Sequence, residues 1–313
     1  MEIKKINTEK LLNINSHPRP ENFEDFIGQE NIKGIIKTAI ESSKKRKGNI
    51  GHILFSGPSG FGKTTMAYII SKQNNVTIKA VTGYAITKPS EIISILNTLE
   101  TGDILFIDEI HRLKPNIEEV LYIAMEDFVI DMVMPEGGNV RIPINPFTLI
   151  GATTKSELLS QPIKNRFVYN FHFMEYNISE KEKIIKKYLE KYGIKATDKV
   201  ISEICKKVDA VPREIHNLCI KIRDYVITET NDKNLDEKLW ENFLKHSKID
   251  DGGMTPIHKK YLQILKDADR PLGVKTIAVQ LGIHEKAVEE DIEPILLKLG
   301  KIEKTAGGRI LVE

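Results

Sequence analysis

The chain has 313 residues, 41% of them apolar and 29% charged, with a formal net charge of +2. That is an ordinary soluble composition with room for two or three domains, and the charge is too near zero to point to nucleic acid by itself. No apolar run is long enough to span a bilayer, and Met1-Glu-Ile-Lys-Lys-Ile6 does not open a secretory core, so a cytoplasmic chain with no membrane partner is expected. The only two cysteines, Cys205 and Cys219, lack metal-type spacing and read as buried cytosolic thiols.

Along the chain, Pro18-Arg19-Pro20 is a stiff extended segment. A helix follows from about Asn31 to Lys45, with Ile32, Ile35, Ile36 and Ile40 at helical spacing and the basic run Lys44 to Lys47 at its end. The apolar run Ile53-Leu54-Phe55 then leads into Gly57-Pro-Ser-Gly-Phe-Gly-Lys-Thr64, and a second helix continues from Thr65. The spacing G-x-x-x-x-G-K-T between strand and helix is a P-loop. Gly57, Gly60 and Gly62 let backbone N–H groups converge on phosphate oxygens; Lys63 would hold the β- and γ-phosphates, and the Thr64 hydroxyl would ligand Mg²⁺. The position of Pro18-Arg19-Pro20 upstream of this domain suits a strap over a nucleotide base.

Val76 to Val81 reads as a strand and Ser90 to Leu99 as a helix, the alternation of a doubly wound sheet. Ile104 to Ile107 is a continuous apolar run of the kind a buried parallel strand shows, and it ends in Asp108-Glu109. Asp108 would bind Mg²⁺ through water, and Glu109 would orient and polarise the attacking water, which makes ATP hydrolysis the expected activity. After a helix over about Asn116 to Asp127, residues 128–144 alternate around Pro135-Glu-Gly-Gly-Asn139 as a hairpin does. Met132, Val133 and Met134 near its tip read either as a partner-binding patch or as a tip folded back on the core. Phe147 to Thr154 is another buried-strand pattern, which would put the Thr154 hydroxyl near the γ-phosphate or the attacking water.

From Ser179 to about Phe243 the pattern is helical, and Val211-Pro-Arg213 opens one helix with proline in its first turn, so that Arg213 projects from a rigid start. Beyond the linker Asp250 to Gly253, three helices are expected over Lys259–Ala268, Val274–Leu281 and Glu285–Lys298. Short strands at Ile302–Lys304 and Ile310–Val312 then flank Ala306-Gly-Gly308, a winged-helix pattern. Lys301, Lys304 and Arg309 cluster on the wing, which suits a grip on phosphates better than base reading. The expected organisation is a P-loop α/β domain with a parallel sheet over residues 1–177, a small all-helical lid over 178–250 and a winged-helix DNA-binding head over 251–313.

Taken together, Leu105-Phe-Ile-Asp-Glu-Ile-His-Arg-Leu113, Glu119 to Tyr122, Ala124 to Asp127, Phe147 to Thr154 and Arg166-Phe167 resemble, in order and spacing, the RuvB family of bacterial Holliday-junction branch-migration ATPases. The resemblance spans nearly the whole chain. It implies an AAA+ motor that forms a hexameric ring on duplex DNA and Holliday junctions, with ATP and Mg²⁺ as ligands, RuvA docking on the hairpin near Met132 to Met134, and the RuvC resolvase as a further partner. It implies nucleotide contacts at Pro18, Arg19, Gly57, Gly60, Gly62, Lys63, Thr64, Thr65, Glu126, Asp127, Phe128 and Tyr176. Thr154 matches sensor 1, Arg166 the arginine finger that reaches a neighbouring subunit, and Arg213 sensor 2; Lys304 and Arg309 fall on DNA-contact positions. Gly307 and Glu285 depart from the family's basic positions in the last domain, and Ser59 and Phe61 from its P-loop. A related AAA+ clamp loader or remodeller, and a nucleotide-gated DNA-binding regulator, share the ATPase motifs and remain as alternatives.

Overall fold

The computed structural model describes residues 19–133, 139–248, 254–268 and 270–312. Contacts divide the chain into two units, Met1–Tyr176 and Asn177–Glu313. Pro18 and Met134 lie outside the described residues, and of the side chains of Met132 and Val133 nothing is described.

The first unit is built on five parallel strands, β1 (Ile53–Ser56), β2 (Ile78–Thr82), β3 (Ile104–Asp108), β6 (Thr148–Thr153) and β7 (Tyr169–His172), in the order β2-β3-β6-β1-β7. The apolar runs of β1, β3 and β6 are buried on both faces, as helices on both sides of a parallel sheet require. Helices α1 (Glu30–Arg46), α2 (Lys63–Asn74), α3 (Pro89–Asn97), α4 (Pro115–Asp127) and the short α5 (Gln161–Lys164) connect them, and α3 and α4 both start on a proline, whose missing N–H costs nothing in a first turn. Ile92, Leu96, Ile117, Leu121 and Ile163 close one face of the sheet against Leu105, Ile107 and Leu149. The expected hairpin forms from β4 (Val129–Val133) and β5 (Asn139–Pro143), with Asp131 opposite Arg141 and their ion pair at 3.0 Å. The nearest exposed apolar groups among the described residues are Val140 and Ile142 on β5.

In the second unit, α6 (Ile178–Lys191) opens on a reciprocal cap. Glu180 N donates to Asn177 Oδ1 at 3.0 Å, and Asn177 N donates to Glu180 Oε2 at 2.8 Å. Helices α7 (Asp198–Lys206), α8 (Pro212–Glu229) and α9 (Glu237–Ser247) follow. The helical pattern of this stretch hides a two-residue parallel ladder, β8 (Lys195–Ala196) with β9 (Asn234–Leu235), too short for any periodicity to signal. Cys205 and Cys219 are free and buried, and burial pushes the Cys219 thiol up to about 12.

The last part has α10 (Pro256–Lys266), α11 (Val274–Leu281) and a wing of β10 (Ile302–Thr305) and β11 (Gly308–Leu311). A single helix expected over Glu285–Lys298 is instead α12 (Glu285–Ala287), a π segment (Val288–Ile292) and α13 (Glu293–Lys298). Pro294 has no N–H to donate, so the ladder slips by one residue before it. That slip aims Glu293 inward, where it is 0% exposed. Lys304 Nζ lies 2.6 Å from Glu293 Oε2 and Arg309 Nε 2.8 Å from Oε1, while the Tyr261 hydroxyl donates to Oε1 at 3.0 Å. A carboxylate with three donors can stay charged in a core, and the wing is thereby tied to α10 and α13.

Glu293→Ala should destabilise the wing by about 3–5 kcal/mol, because it leaves Arg309 and Lys304 facing each other without their shared counter-charge. Burial works to raise the Glu293 carboxyl, and the bonds from Arg309, Lys304 and Tyr261 outweigh it, so it titrates below the usual range. This contribution to stability is therefore complete above the unfolded carboxyl's value of about 4.3 and is lost as pH falls through the lower folded value. Thermal melts from pH 7 to pH 3 should show a steep acid loss in the wild type and a shallower one in the variant.

Candidate active site

The P-loop leaves β1 at Ser56 and enters α2 at Lys63, and its three glycines take left-handed backbone angles, φ +128° at Gly57, +83° at Gly60 and +100° at Gly62. A side chain at Gly62 would put its Cβ 2.7 Å from the Phe26 ring, and one at Gly57 would sit 2.9 Å from the Phe173 carbonyl. The loop is therefore a bare backbone cradle walled by aromatics. Lys63 is buried, and its ammonium donates to Gly57 O at 2.6 Å and Pro58 O at 2.7 Å, so it is held inside the loop. Tyr176 closes the same side, its hydroxyl donating to Phe61 O at 3.0 Å. Gln29 fastens the entering chain to this wall, donating to Met174 O at 2.7 Å and accepting from Met174 N at 3.2 Å. The Arg19 guanidinium lies 5.7 Å from the centre of the Tyr68 ring on α2, one turn beyond Thr64.

Because β6 lies between β1 and β3, the ends of all three strands meet at one edge. Thr64 Oγ1 lies 3.4 Å from Asp108 Oδ2 across that edge. These two hard oxygen donors, beside a loop that admits only backbone, fit a Mg–nucleotide complex. Glu109 sits in a left-handed conformation (φ 49°), and its Oε2 accepts from Thr154 Oγ1 at 3.1 Å and Thr154 N at 3.3 Å. Two residues beside it have no role assigned by the sequence motifs. His111, its ring almost wholly enclosed, brings Nδ1 to 3.2 Å from Glu109 Oε2 and 2.9 Å from Thr153 Oγ1. Gly83, at the end of β2, approaches so closely that a Cβ there would meet the Glu109 carbonyl oxygen at 2.5 Å. Burial pushes the His111 ring below its ordinary value against the opposing pull of Glu109, so it is neutral at pH 7.

Arg166 and Glu126 to Phe128 lie elsewhere. The Met125 carbonyl meets His52 Nε2 at 3.0 Å just before β1, and Phe128 packs on Phe147 just before β6, so this end of α4 is at the strands' starting edge, opposite the P-loop. Arg166 joins it there, its Nη2 2.5 Å from Glu126 Oε2 and its guanidinium 5.2 Å from the centre of the Tyr122 ring. Glu126, Asp127 and Phe128 thus do not belong to this chain's own phosphate cradle. Thr65 follows Thr64 in the first turn of α2, and Arg213 is an exposed residue in the first turn of α8, in the second unit. Only 14% of the Arg309 side chain is exposed, and it is engaged by Glu293 and Glu289. Lys304, 44% exposed, keeps a face to solvent.

Residues 18–173 match the model of the Holliday junction DNA helicase RuvB P-loop domain, and residues 251–313 that of the RuvB C-terminal winged helix domain. The chain belongs to the RuvB family. Among curated relatives, the Holliday junction branch migration complex subunit RuvB of Campylobacter fetus is 42% identical over 99% of this chain and 91% of its own length; that of Helicobacter pylori J99 is 40% identical over 93% and 88%. A solved structure described as the Thermotoga maritima RuvB Holliday junction branch migration motor superposes with a TM-score of 0.79 at 34% identity, covering 94% of this chain and 95% of that one. In this RuvB-family fold no helix among the described residues is long and apolar enough to cross a membrane.

Gly83→Ala should push the Glu109 turn away from Thr154 while leaving the P-loop intact. ATP affinity, read by fluorescent-nucleotide titration, should stay within about threefold, and turnover should fall at least about tenfold.

Proposed function

We propose that this chain is an ATP-hydrolysing DNA motor that drives branch migration of Holliday junctions in homologous recombination and DNA repair, as a hexameric ring on duplex DNA working with RuvA and feeding junctions to RuvC. The observation that carries this reading is the split of the catalytic groups between two edges of one sheet. Thr64, Asp108, Glu109 and Thr154 gather at the P-loop edge, whereas Arg166 stands at the opposite edge. β1 alone separates the two edges by roughly 13 Å at about 3.3 Å per residue, so Arg166 serves a neighbouring chain's nucleotide and Glu126 to Phe128 stand beside it at that junction. A ring closed by such head-to-tail contacts completes every site.

In each site the loop amides and Lys63 bind the phosphates, with Thr65 beside them, while Arg19 and Tyr176 flank the base side. Thr64 and Asp108 would hold Mg²⁺, which supplies charge neutralisation on the β- and γ-phosphates when bound. Glu109 accepts the proton of the attacking water, and Thr154 orients that water or the γ-phosphate. Arg213 acts as sensor 2 and responds to the γ-phosphate. Lys304 contacts duplex phosphates, and sequence-independent contact of this kind suits movement along any DNA. The hairpin of β4 and β5 is the surface for RuvA, and Val140 and Ile142 supply exposed apolar area on it.

Arg166→Ala should bind ATP nearly as wild type and lose about 10³-fold or more in turnover. Mixed with Glu109→Gln chains it should recover turnover, since an intact Glu109 on one chain then meets an intact Arg166 on the next; absence of recovery would overturn the trans role. Dissociation of a synthetic four-way junction should need ATP and RuvA, and hydrolysis indifferent to the junction would move the function to the remodeller or the gated regulator.

A further inference from the structure

Glu109 Oε2 accepts two hydrogen bonds from Thr154 and lies 3.2 Å from Nδ1 of His111, a ring that the reaction itself does not require. Nδ1 of a neutral His111 carries either a proton or a lone pair. A carboxylate oxygen at 3.2 Å cannot face a lone pair, so the proton is on Nδ1 and that edge of the ring turns its partial positive charge toward Glu109 Oε2. Its one proton is donated to Thr153 Oγ1 at 2.9 Å, a wholly buried oxygen that also accepts from Lys155 N at 2.9 Å. His111 is therefore anchored to the end of β6, one residue before Thr154, and it bridges that strand to the carboxylate.

We propose that His111, anchored by Thr153, is a positioning residue that sets the rotamer of Glu109, so that the carboxylate meets the attacking water in step with Thr154. Three features of the geometry call for such a device. Glu109 holds a left-handed backbone that a glutamate adopts only at a cost, Gly83 crowds its carbonyl, and the side chain lies at a solvent-accessible edge, 35% exposed, where a carboxylate would otherwise sample several rotamers. The two bonds from Thr154 both go to Oε2 and leave the rest of the carboxylate free to swing about it. An enclosed ring, tied to Thr153 and set 3.2 Å from the same oxygen, limits that swing.

This inference rests on the role given to Glu109 above, and its test separates the two. Steady-state turnover and fluorescent-ADP affinity are measured for Glu109→Gln, His111→Ala, His111→Asn, Thr153→Val and His111→Ala/Thr153→Val in the full chain. His111→Ala should lower kcat by about 10- to 100-fold with KM for ATP and ADP affinity unchanged within about threefold. His111→Asn, whose amide nitrogen can replace Nδ1–H, should regain most of the loss. Thr153→Val should cause a smaller loss, and the double variant should be no worse than His111→Ala alone, because Thr153 acts only through the ring. Unchanged kcat in His111→Ala, equal loss in the Asn variant, or additive losses in the double variant would each overturn the positioning role. If Glu109→Gln retains turnover, the reading of Glu109 itself fails, whatever His111 does.

Discussion

The parallel insertion of β6 between β1 and β3 is the constraint on which the chemistry of this chain depends. Register pairs Ser56 with Thr153 and Ile107 with Gly151, so three strands end together and deliver the P-loop, the Asp108-Glu109 pair and Thr153-Thr154 to one edge. Side chains distant in sequence come within hydrogen-bond range there without any loop having to carry them. Gly151 lets this happen in the sheet's interior, since a Cβ there would press within 3.1 Å of both Ile110 and Phe167. The same geometry sends α4 back along the sheet, so its C-terminal end, with Glu126 and the neighbouring Arg166, arrives at the far edge.

Three charged side chains are held locally in three different ways. Lys63 rests on two loop carbonyls, acceptors that hold an ammonium without neutralising it and can yield it to phosphate. Glu293 is matched by full cations and a phenol, a far stronger arrangement that suits a permanent tie. Glu109 lies between these extremes, bonded by the neutral donors of Thr154 with the neutral His111 ring beside it, which orient a carboxylate without fixing it in an ion pair.

The wing shows how tertiary packing can reassign a residue. Arg309 and Glu293 are sixteen residues apart and look unrelated in one dimension. Gly308 takes φ +134° and lets Leu272 pair with Arg309 through N–H···O bonds of 3.0 and 2.8 Å in both directions, which turns the Arg309 side chain toward Glu293. The basic cluster of the wing is thus partly internal, and only Lys304 divides itself between the core carboxylate and solvent.

The P-loop, the buried strands, the acid pair after β3, the hairpin and the winged helix were all legible in the residues themselves, because each rests on local spacing: glycines where backbone must approach phosphate, apolar runs where both faces are covered, proline where a helix starts. The π slip at Pro294 and the β8–β9 ladder were not, since a helical pattern looks the same on either side of a one-residue shift, and two residues carry no period. Nor were Gly83 and His111 visible as site residues. Their importance comes from β2 and β6 lying on either side of β3, a strand order that no local pattern encodes. By itself the sequence determined which chemical groups the chain possesses and which elements present them. Tertiary structure alone decided that Glu109 meets Thr154 and His111, that Arg166 stands with Glu126 at the edge away from the P-loop, and that Arg309 turns inward, because those outcomes depend on distances across strands and not along them.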